Sequence, residues 1–169
     1  MKTFWKEAKD YIIIIVCVIL VRTFIVTPAI VDGPSMDDTL ADGQLVFINK
    51  FIYRFKDIER FDIVVVDNEI NNDKIIKRVI GLPNETIEYR DNKLYINGTY
   101  TPEAYRFKDT ADFIKQTKDN EYLVLGDNRP VSQDSRQLGN FTKENILGRV
   151  KFRVFPFTKF GIIRWTIKK

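Results

Sequence analysis

The hydrophobic positions divide the chain into a uniformly apolar N-terminal segment and a body of short alternating runs. Residues 11–21 form an unbroken run of eleven apolar residues, and a second apolar stretch, 24–26, follows Arg22. A surface helix of a soluble protein would show a polar face, which this segment lacks. At about 1.5 Å per residue, residues 11–26 reach about 24 Å, against a hydrocarbon core of about 30 Å. We therefore expect an N-terminal transmembrane helix over residues 11–27.

The distribution of basic residues predicts the orientation of this helix. Three lysines precede the apolar segment, and residues 23–49 contain neither Lys nor Arg. The positive-inside rule then places residues 1–10 in the cytoplasm and residues 28–169 on the outer side of the membrane. A cleaved secretory signal peptide is a competing interpretation, because residues 27–29 loosely fit a cleavage site. A buried helix of a soluble protein is a weaker alternative.

Beyond Pro28, short apolar runs between turn signals predict a β-rich body. The predicted strands are Leu45–Asn49, Asp62–Val66, Ile75–Ile80, Thr86–Tyr89, Lys93–Ile96, Tyr122–Leu125 and Val150–Phe155. Tight turns are expected at Asp91-Asn92 and Asn97-Gly98. Because no long helical stretch separates the strands, the pattern favours a mostly β domain with antiparallel sheets. Residues 88–120 are interpreted as a small variable excursion, with 105–119 as its least patterned part, and Thr142–Ile146 as one helical turn.

Composition narrows the chemistry that this body can perform. The 44% hydrophobic and 30% charged content is typical of a globular protein, and there is no histidine. Cys17 is the only cysteine, which excludes an intramolecular disulfide and a cysteine zinc site. No metal or cofactor is expected. A serine nucleophile in this chain cannot use the Ser-His-Asp mechanism and must find another base.

The C-terminal region is basic and aromatic. Residues 149–169 contain seven Lys or Arg and no Asp or Glu, interleaved with phenylalanines and a tryptophan. Within residues 149–154, charged and apolar positions alternate with the period of a half-buried strand. We interpret the charge first as the solvated face of a strand and next as a surface for anionic lipid. Binding of nucleic acid is the least favoured interpretation of this region, and no nucleic-acid partner is expected.

Lysine is the obvious base for a serine nucleophile here. Its reference pKa near 10.4 leaves it protonated at pH 7, so burial must lower that pKa. A strand at Ile75–Ile80 would place Lys77 between the branched side chains of Ile75 and Val79 on one face. A shift of about two to three units costs about 3–4 kcal/mol, which is within the range of buried lysines. Ser35 would be the nucleophile, with backbone N–H groups of the Gly33–Met36 turn in an oxyanion hole.

Four segments in a fixed order carry a resemblance to a known family. They are Pro34-Ser35-Met36-x-x-Thr39-Leu40 with Asp42-Gly43, then Lys77 to Pro83, then Gly126-Asp127-Asn128-Arg129 through Asp134-Ser135-Arg136, then Gly148-Arg149-Val150. Together they resemble type I signal peptidases, which are membrane-anchored Ser/Lys endopeptidases. The shortness of the chain and its single expected anchor resemble the forms from Gram-positive bacteria. The resemblance runs from the anchor to near the C-terminus.

The resemblance implies an endopeptidase that removes N-terminal signal peptides from secreted precursors at small-x-small (Ala-x-Ala) sites. Its implied partners are those signal peptides and the lipid bilayer. Ser35 would be the nucleophile, Lys77 the general base and Ser132 the hydroxyl that orients the lysine, with Gly33 and the Ser35 backbone at the oxyanion hole. The implied ion-pair scaffold comprises Arg78, Asp127, Arg129, Asp134 and Arg136. The residues implied to border an added substrate strand are Val31, Asp32, Lys74, Ile75 and Ile76.

One departure from the family pattern keeps other functions open. Asp38 stands where a proline is usual, and with Asp37 it would raise the pKa of Lys77. An impaired family member that binds signal sequences or assembly partners is therefore an alternative. A Ser/Lys regulator that cleaves its own chain is a further one, although neither a helix-turn-helix nor an internal Ala-Gly site is visible.

Overall fold

Two antiparallel β-sheets organise this computed structural model, which describes residues 9–16, 26–37, 39–103 and 109–163. The larger sheet has eight strands in the order β1-β2-β11-β3-β4-β9-β10, with β12 paired to β11, and the smaller has the order β7-β6-β5-β8. The strands are β1 Val26–Ile30, β2 Leu45–Asn49, β3 Ile63–Asn68, β4 Asp73–Gly81, β5 Thr86–Arg90, β6 Lys93–Ile96, β7 Thr99–Tyr100, β8 Phe113–Gln116, β9 Glu121–Leu125, β10 Phe141–Thr142, β11 Ile146–Phe155 and β12 Gly161–Ile162. All of the pairings are antiparallel, which confirms the predicted mostly β fold.

The burial of β3 explains how the larger sheet forms a core. Ile63, Val64, Val65 and Val66 are all buried, so β3 is covered on both faces. Alternate residues of β3 belong to two different hydrophobic clusters, because successive side chains of a strand point to opposite faces. Strand β4 lies next to β3 and passes between the same two clusters.

Every strand predicted from the sequence is present. β2 and β6 have the predicted bounds, whereas β11 begins at Ile146, four residues earlier than expected. The expected tight turns are also present, because Asp91, Asn92, Asn97 and Gly98 all have positive φ. These residue types tolerate that conformation better than others. The expected turn at 142–146 is a 3-10 helix, Lys143–Asn145, with Thr142 at its N-cap.

Residues 88–120, which were interpreted as a small variable excursion, contain regular secondary structure. With β5, this segment builds the smaller sheet, whose Tyr89 and Leu94 share a hydrophobic cluster with Ile80 of β4 and Leu123 of β9. Strand β8 lies inside the stretch that looked least patterned. Its exposed positions are Ile114 and Gln116, while Phe113 and Lys115 are half-buried. Because the exposed position holds an isoleucine and the half-buried position holds a lysine, the sequence does not show the usual alternation that identifies a strand.

The N-terminal segment is described in part. Residues 9–16 are helical, and the apolar side chains of 11–16 are exposed. The rest of the expected anchor, 17–25, with Cys17, lies outside the described residues. The expected end at residue 27 is wrong, because Val26 begins β1 and Thr27 pairs with Ile48 of β2. None of the helices in the described ranges combines the length and the apolar character needed to cross a bilayer.

Candidate active site

Ser35 lies in the middle of a short 3-10 turn, Pro34–Met36, that follows β1. The turn starts at Gly33, whose φ of 80° and ψ of 171° suit glycine, and Pro34 occupies its first position. Met36 is buried in the cluster formed with β2 and β3, which ties the turn to the larger sheet. Ser35 itself is half-buried.

The N–H groups of this turn differ in what they offer a ligand. The Gly33 N–H donates to Asp42 Oδ1 at 2.8 Å, so the expectation that Gly33 contributes to an oxyanion hole is wrong for its N–H. Pro34 has no N–H. The first N–H groups of a helical turn have no partner within the turn, and here these are the N–H groups of Ser35 and Met36. The Ser35 part of the predicted hole is therefore compatible with the backbone of this turn.

A second segment holds the turn from the end of β9. The Asn128 N–H donates to Ser35 O at 3.0 Å, and Asn128 Nδ2 donates to Pro34 O at 3.0 Å. Gly126 approaches the same carbonyl so closely that a Cβ there would lie 2.6 Å from Ser35 O and would also overlap Ser132 Oγ. The carbonyls on either side of the Ser35 side chain are therefore fixed by residues about ninety positions further along the chain.

Lys77 reaches this turn from β4. It lies opposite Val64 of β3, and Val64, Ile75 and Val79 all pack in one hydrophobic cluster. Lys77 is only 3% exposed, and its Nζ donates to Ser35 Oγ at 2.8 Å. Burial lowers the pKa of Lys77 below its usual value of 10.5. The structure thus brings together the two residues that the sequence predicted to form a catalytic pair.

The carboxylates around Lys77 oppose this effect only in part. Asp134, Asp73 and Asp127 each act to raise the pKa of Lys77, but desolvation is the larger effect. Asp37 is not among the charges that shift it, so the expected influence of Asp37 on Lys77 is not found. Asp38 lies outside the described residues. An amine that loses its proton more readily than a free lysine, within hydrogen-bond reach of a serine hydroxyl, is the arrangement that nucleophilic catalysis requires.

Ser132 is close to this pair but is not bonded to it. The residue is buried, and its Oγ has no hydrogen-bond partner among the described residues. The expected hydrogen bond from Ser132 to Lys77 is therefore not formed in this structure. Its hydroxyl does lie against Gly126, the residue that approaches Ser35 O.

The first ion pair of the predicted scaffold joins β4 to the segment after β9. Arg78 donates from Nε to Asp127 Oδ1 at 2.8 Å and from Nη2 to Asp127 Oδ2 at 2.6 Å. The two side chains are 2% and 1% exposed. The Thr39 hydroxyl donates to Asp127 Oδ2 at 2.5 Å. This pair fixes the strand of Lys77 relative to the segment that bonds Ser35 O.

The second pair forms beside the first. Asp134 is fully buried and accepts from Arg136 Nε at 2.8 Å and from the Gly126 N–H at 3.0 Å. It also caps the short helix Ser135–Leu138. Arg129, in contrast, forms its ion pair with Glu103, whose Oε1 lies 2.9 Å from Nη2. The five predicted residues thus form two pairs among themselves and a third pair with a residue outside the prediction.

Three of the five predicted substrate-binding residues lie on one open strand edge. Residues 73–77 of β4 pair with β3 on one side, while β9 pairs with β4 only from Arg78 onward. Among the described residues no strand occupies the other edge of 73–77, which contains Lys74, Ile75 and Ile76. Facing residues were expected at Val31 and Asp32. Asp32 is exposed, but Val31 is buried, and its N–H and C=O already bond Gln44 O and the Gly43 N–H. Direct main-chain binding by Val31 is therefore incompatible with these bonds.

Three residues of this site were not predicted as site residues. Thr39 and Asn128 occur in the motifs quoted above, so their positions were visible in the sequence although their contacts were not. Glu103 follows β7 in a segment with no motif, and nothing in the local pattern indicates its partner. Its contact with Arg129 depends on how the smaller sheet packs.

Comparison with known proteins gives one consistent result. The family described as Signal peptidase, peptidase S26, matches residues 5–155. Signal peptidase I of Streptococcus pneumoniae serotype 4 is 36% identical over 95% of this chain and 97% of its own. Signal peptidase IB of Staphylococcus aureus strain Mu50 is 39% identical over 92% of this chain and 93% of its own.

A solved structure is similar as well. The crystal structure of a signal peptidase I from Enterococcus faecalis V583 is 39% identical and superposes with a TM-score of 0.51. The match covers 56% of this chain and 97% of that one. A family match over most of the length, together with relatives of this identity and coverage, leaves one assignment. The chain belongs to the signal peptidase family, peptidase S26, and is a peptidase.

Proposed function

We propose that this protein is a membrane-anchored endopeptidase that removes N-terminal signal peptides from secreted precursors, with Ser35 as nucleophile and Lys77 as general base. The observation that carries the proposal is the 2.8 Å contact between Lys77 Nζ and Ser35 Oγ in surroundings where burial lowers the pKa of the lysine. A general base must lie within about 2.6–3.2 Å of the proton that it removes, and its pKa should approach the working pH. Lys77 satisfies the distance, and the direction of its pKa shift is the required one.

The first half of the reaction forms an acyl-enzyme. Neutral Lys77 takes the proton of the Ser35 hydroxyl while Oγ attacks the scissile carbonyl carbon. The resulting oxyanion accepts a hydrogen bond from the Ser35 N–H. Lys77, now an ammonium, returns the proton to the leaving amine as the peptide bond breaks. The mature protein leaves, and the signal peptide remains esterified to Ser35.

The second half returns the free enzyme. Lys77 is neutral again and removes a proton from a water molecule, whose oxygen attacks the ester carbonyl. The proton then passes to Ser35 Oγ as the ester bond breaks, which releases the signal peptide as a carboxylic acid. Ser132 is assigned to orient the Lys77 ammonium. Its buried Oγ, which has no partner in the part of the chain that the structure describes, supports this assignment, because a buried unpaired hydroxyl is costly and a bond to the ammonium would satisfy it.

The substrate is proposed to bind as an added strand. The open edge at 73–77 offers main-chain groups to an extended peptide. Exposed Asp32 is assigned to the other side of that peptide. Successive side chains of an added strand point to opposite faces, so peptide residues that are two positions apart face the enzyme on the same side. Half-buried Ile75 and Ile76 limit the room on that edge, which supports a preference for small residues in a small-x-small, Ala-x-Ala-like site.

Exposed apolar residues in the N-terminal helix and at the end of β11 support the proposal that the enzyme acts at a bilayer surface. Residues 11–16 form an exposed helix that is apolar on every side, which water does not favour. A second exposed apolar group lies at the end of β11 and beyond it, comprising Phe155, Phe157, Phe160 and Ile162. Exposed Lys151 and Lys159 accompany it, and aromatic rings next to lysines suit an anionic lipid surface. The anchor would leave residues 1–10 in the cytoplasm and the β-sheets outside it.

The proposal is tested with purified full-length protein in vesicles that contain a precursor with an Ala-x-Ala site. Mass spectrometry of the products locates the cleaved bond, and Ser35→Ala and Lys77→Ala serve as the matched inactive variants. Cleavage after the second alanine by the wild type, abolished in both variants while they remain folded, is the expected result. Activity retained by either variant contradicts the mechanism. A folded wild type that binds the precursor but does not cut it would favour a signal-sequence binder.

A further inference from the structure

Arg129 connects the segment that holds Ser35 to the smaller sheet. Its side chain is fully buried, and its Nε donates to Gly126 O at 2.9 Å. Its guanidinium lies over the Tyr89 ring at 5.0 Å. Tyr89 is a buried residue of the smaller sheet, in a hydrophobic cluster that the sheet shares with β4 and β9. A residue of the 126–129 segment thus contacts a side chain of the smaller sheet directly.

Glu103 links the other two side chains. Its Oε1 accepts from Arg129 Nη2 at 2.9 Å and from the Tyr89 hydroxyl at 2.6 Å. Arg129 Nη1 also approaches Thr110 Oγ1 at 3.4 Å. Charge-assisted hydrogen bonds of this kind are short, directional and stronger than neutral ones. The position of the guanidinium is therefore set by groups of the smaller sheet and of the segment after β7.

The position of Arg129 is transmitted to Ser35 over one peptide unit. Asn128 directly precedes Arg129 and bonds both carbonyls that flank the Ser35 side chain, Pro34 O and Ser35 O. Arg129 Nε bonds Gly126 O on the other side of Asn128. The short segment 126–129 therefore contacts the backbone of Ser35 through Asn128 and the Tyr89–Glu103 pair through Arg129.

We propose that Glu103 and Tyr89 are positioning residues for the nucleophile, acting through Arg129 and Asn128, so that the smaller sheet serves to align Ser35 with Lys77. The inference rests on the proposed function, since it needs Ser35 to be the reacting group. It gives the smaller sheet a part in the reaction although none of its side chains contacts the Ser35–Lys77 pair in the described residues.

Removing the carboxylate charge should loosen this alignment without removing a reacting group. Glu103→Gln keeps the size of the side chain but removes its charge, which weakens the bond to the buried guanidinium. Because the guanidinium of Arg129 is then held less firmly, we expect Arg129 to shift and the 126–129 segment to shift with it. Misplacement of a reacting atom by about 1 Å costs about a hundredfold in rate. We expect kcat to fall by about ten- to a hundredfold in Glu103→Gln, with KM within about twofold of wild type.

The experiment measures kcat and KM of the full-length protein on a peptide with an Ala-x-Ala site, together with thermal unfolding of each variant. Glu88→Gln is the matched control, because Glu88 forms a partly exposed ion pair with Arg90 in the same sheet. It removes one Glu–Arg pair without touching the 126–129 segment, and we expect wild-type kcat. Tyr89→Phe, which removes a single hydroxyl, is expected to lower kcat by at least about threefold.

Coupling to Asn128 separates positioning from mere stability. If Glu103 acts through Asn128, Glu103→Gln should lower kcat much less in an Asn128→Ala background than in the wild type. Equal losses in both backgrounds, or wild-type kcat in folded Glu103→Gln, overturn the proposal. Should Glu103→Gln not fold, wild-type kcat in folded Tyr89→Phe overturns it instead. An inactive wild type would refute the proposed function, whereas an active wild type with unaffected variants would refute this inference alone.

Discussion

Replacement of Gly126 by alanine tests how tightly the nucleophile is held. A Cβ at this position would lie 2.6 Å from Ser35 O, about 0.8 Å inside ordinary van der Waals contact, and would overlap the side chain of Ser132. The carbonyl of Ser35 is backbone, so the clash cannot be relieved by a rotamer change. Either the turn of Ser35 or the 126–129 segment has to move by roughly that distance.

The distance between the two reacting groups converts this shift into a rate. Lys77 Nζ lies 2.8 Å from Ser35 Oγ, and a shift of about 0.8 Å away would leave about 3.6 Å, beyond hydrogen-bond range. Because a misplacement of about 1 Å costs about a hundredfold, we expect kcat of Gly126→Ala to fall about a hundredfold. The stability cost should be about 1–3 kcal/mol, as for other overpacked sites.

The assay compares kcat on an Ala-x-Ala peptide with the free energy of unfolding in urea. Gly148→Ala is the matched control, since a Cβ there would meet Asn49 O at the same 2.6 Å, but in β11 against β2. Both variants should lose similar stability, and only Gly126→Ala should lose the rate. Wild-type kcat in folded Gly126→Ala would show that the close approach to Ser35 O does not set the geometry of the pair.

Three further outcomes follow from the same contacts. Because burial lowers the pKa of Lys77, the unfolded chain binds more protons than the native chain between the native pKa and 10.5. The free energy of unfolding of the wild type should therefore rise with pH across that window. Lys77→Met should have a higher melting temperature than the wild type at pH 7 and should lose this pH dependence. For the same reason kcat/KM of the wild type should rise with pH through the native pKa of Lys77, and a flat profile would argue against a lysine base. Asp127→Ala should cost about 3–5 kcal/mol in urea unfolding, because it takes the bidentate carboxylate from buried Arg78, while Glu88→Ala should cost under about 1 kcal/mol. Deleting residues 1–25 should slow cleavage of membrane-inserted precursors far more than cleavage of short soluble peptides, and equal slowing would contradict tethering as its cause.

Five strands of the larger sheet, β2, β3, β4, β9 and β11, could be predicted because their signal is local. Leu45–Asn49 alternates buried and half-buried positions along one strand, and the sequence shows that alternation directly. Strand β8 could not be predicted, because its exposed Ile114 and half-buried Lys115 reverse the usual pattern. Those two side chains take their places from the packing of the smaller sheet, which the local pattern does not record.

The site divides in the same way. The absence of histidine, with the motifs around Ser35 and Lys77 and the third motif that begins at Gly126, led to the prediction of a Ser/Lys pair. The sequence could not show that the Gly33 N–H is taken by Asp42, or that Val31 already bonds Gln44 and Gly43. Such bonds depend on which loops meet after the sheet has formed.

By itself, the sequence determined the strand periods, the chemistry that a chain without histidine can use, and the segments that carry it. The tertiary structure alone decided which of those groups meet. Ser35 and Lys77 are 42 residues apart and touch because the turn after β1 packs against β4. Asp127 pairs with Arg78 because β9 lies beside β4, whereas Arg129 pairs with Glu103 because its side chain enters the smaller sheet. A charge does not specify its partner in sequence, since Coulomb attraction depends on distance in space and on burial.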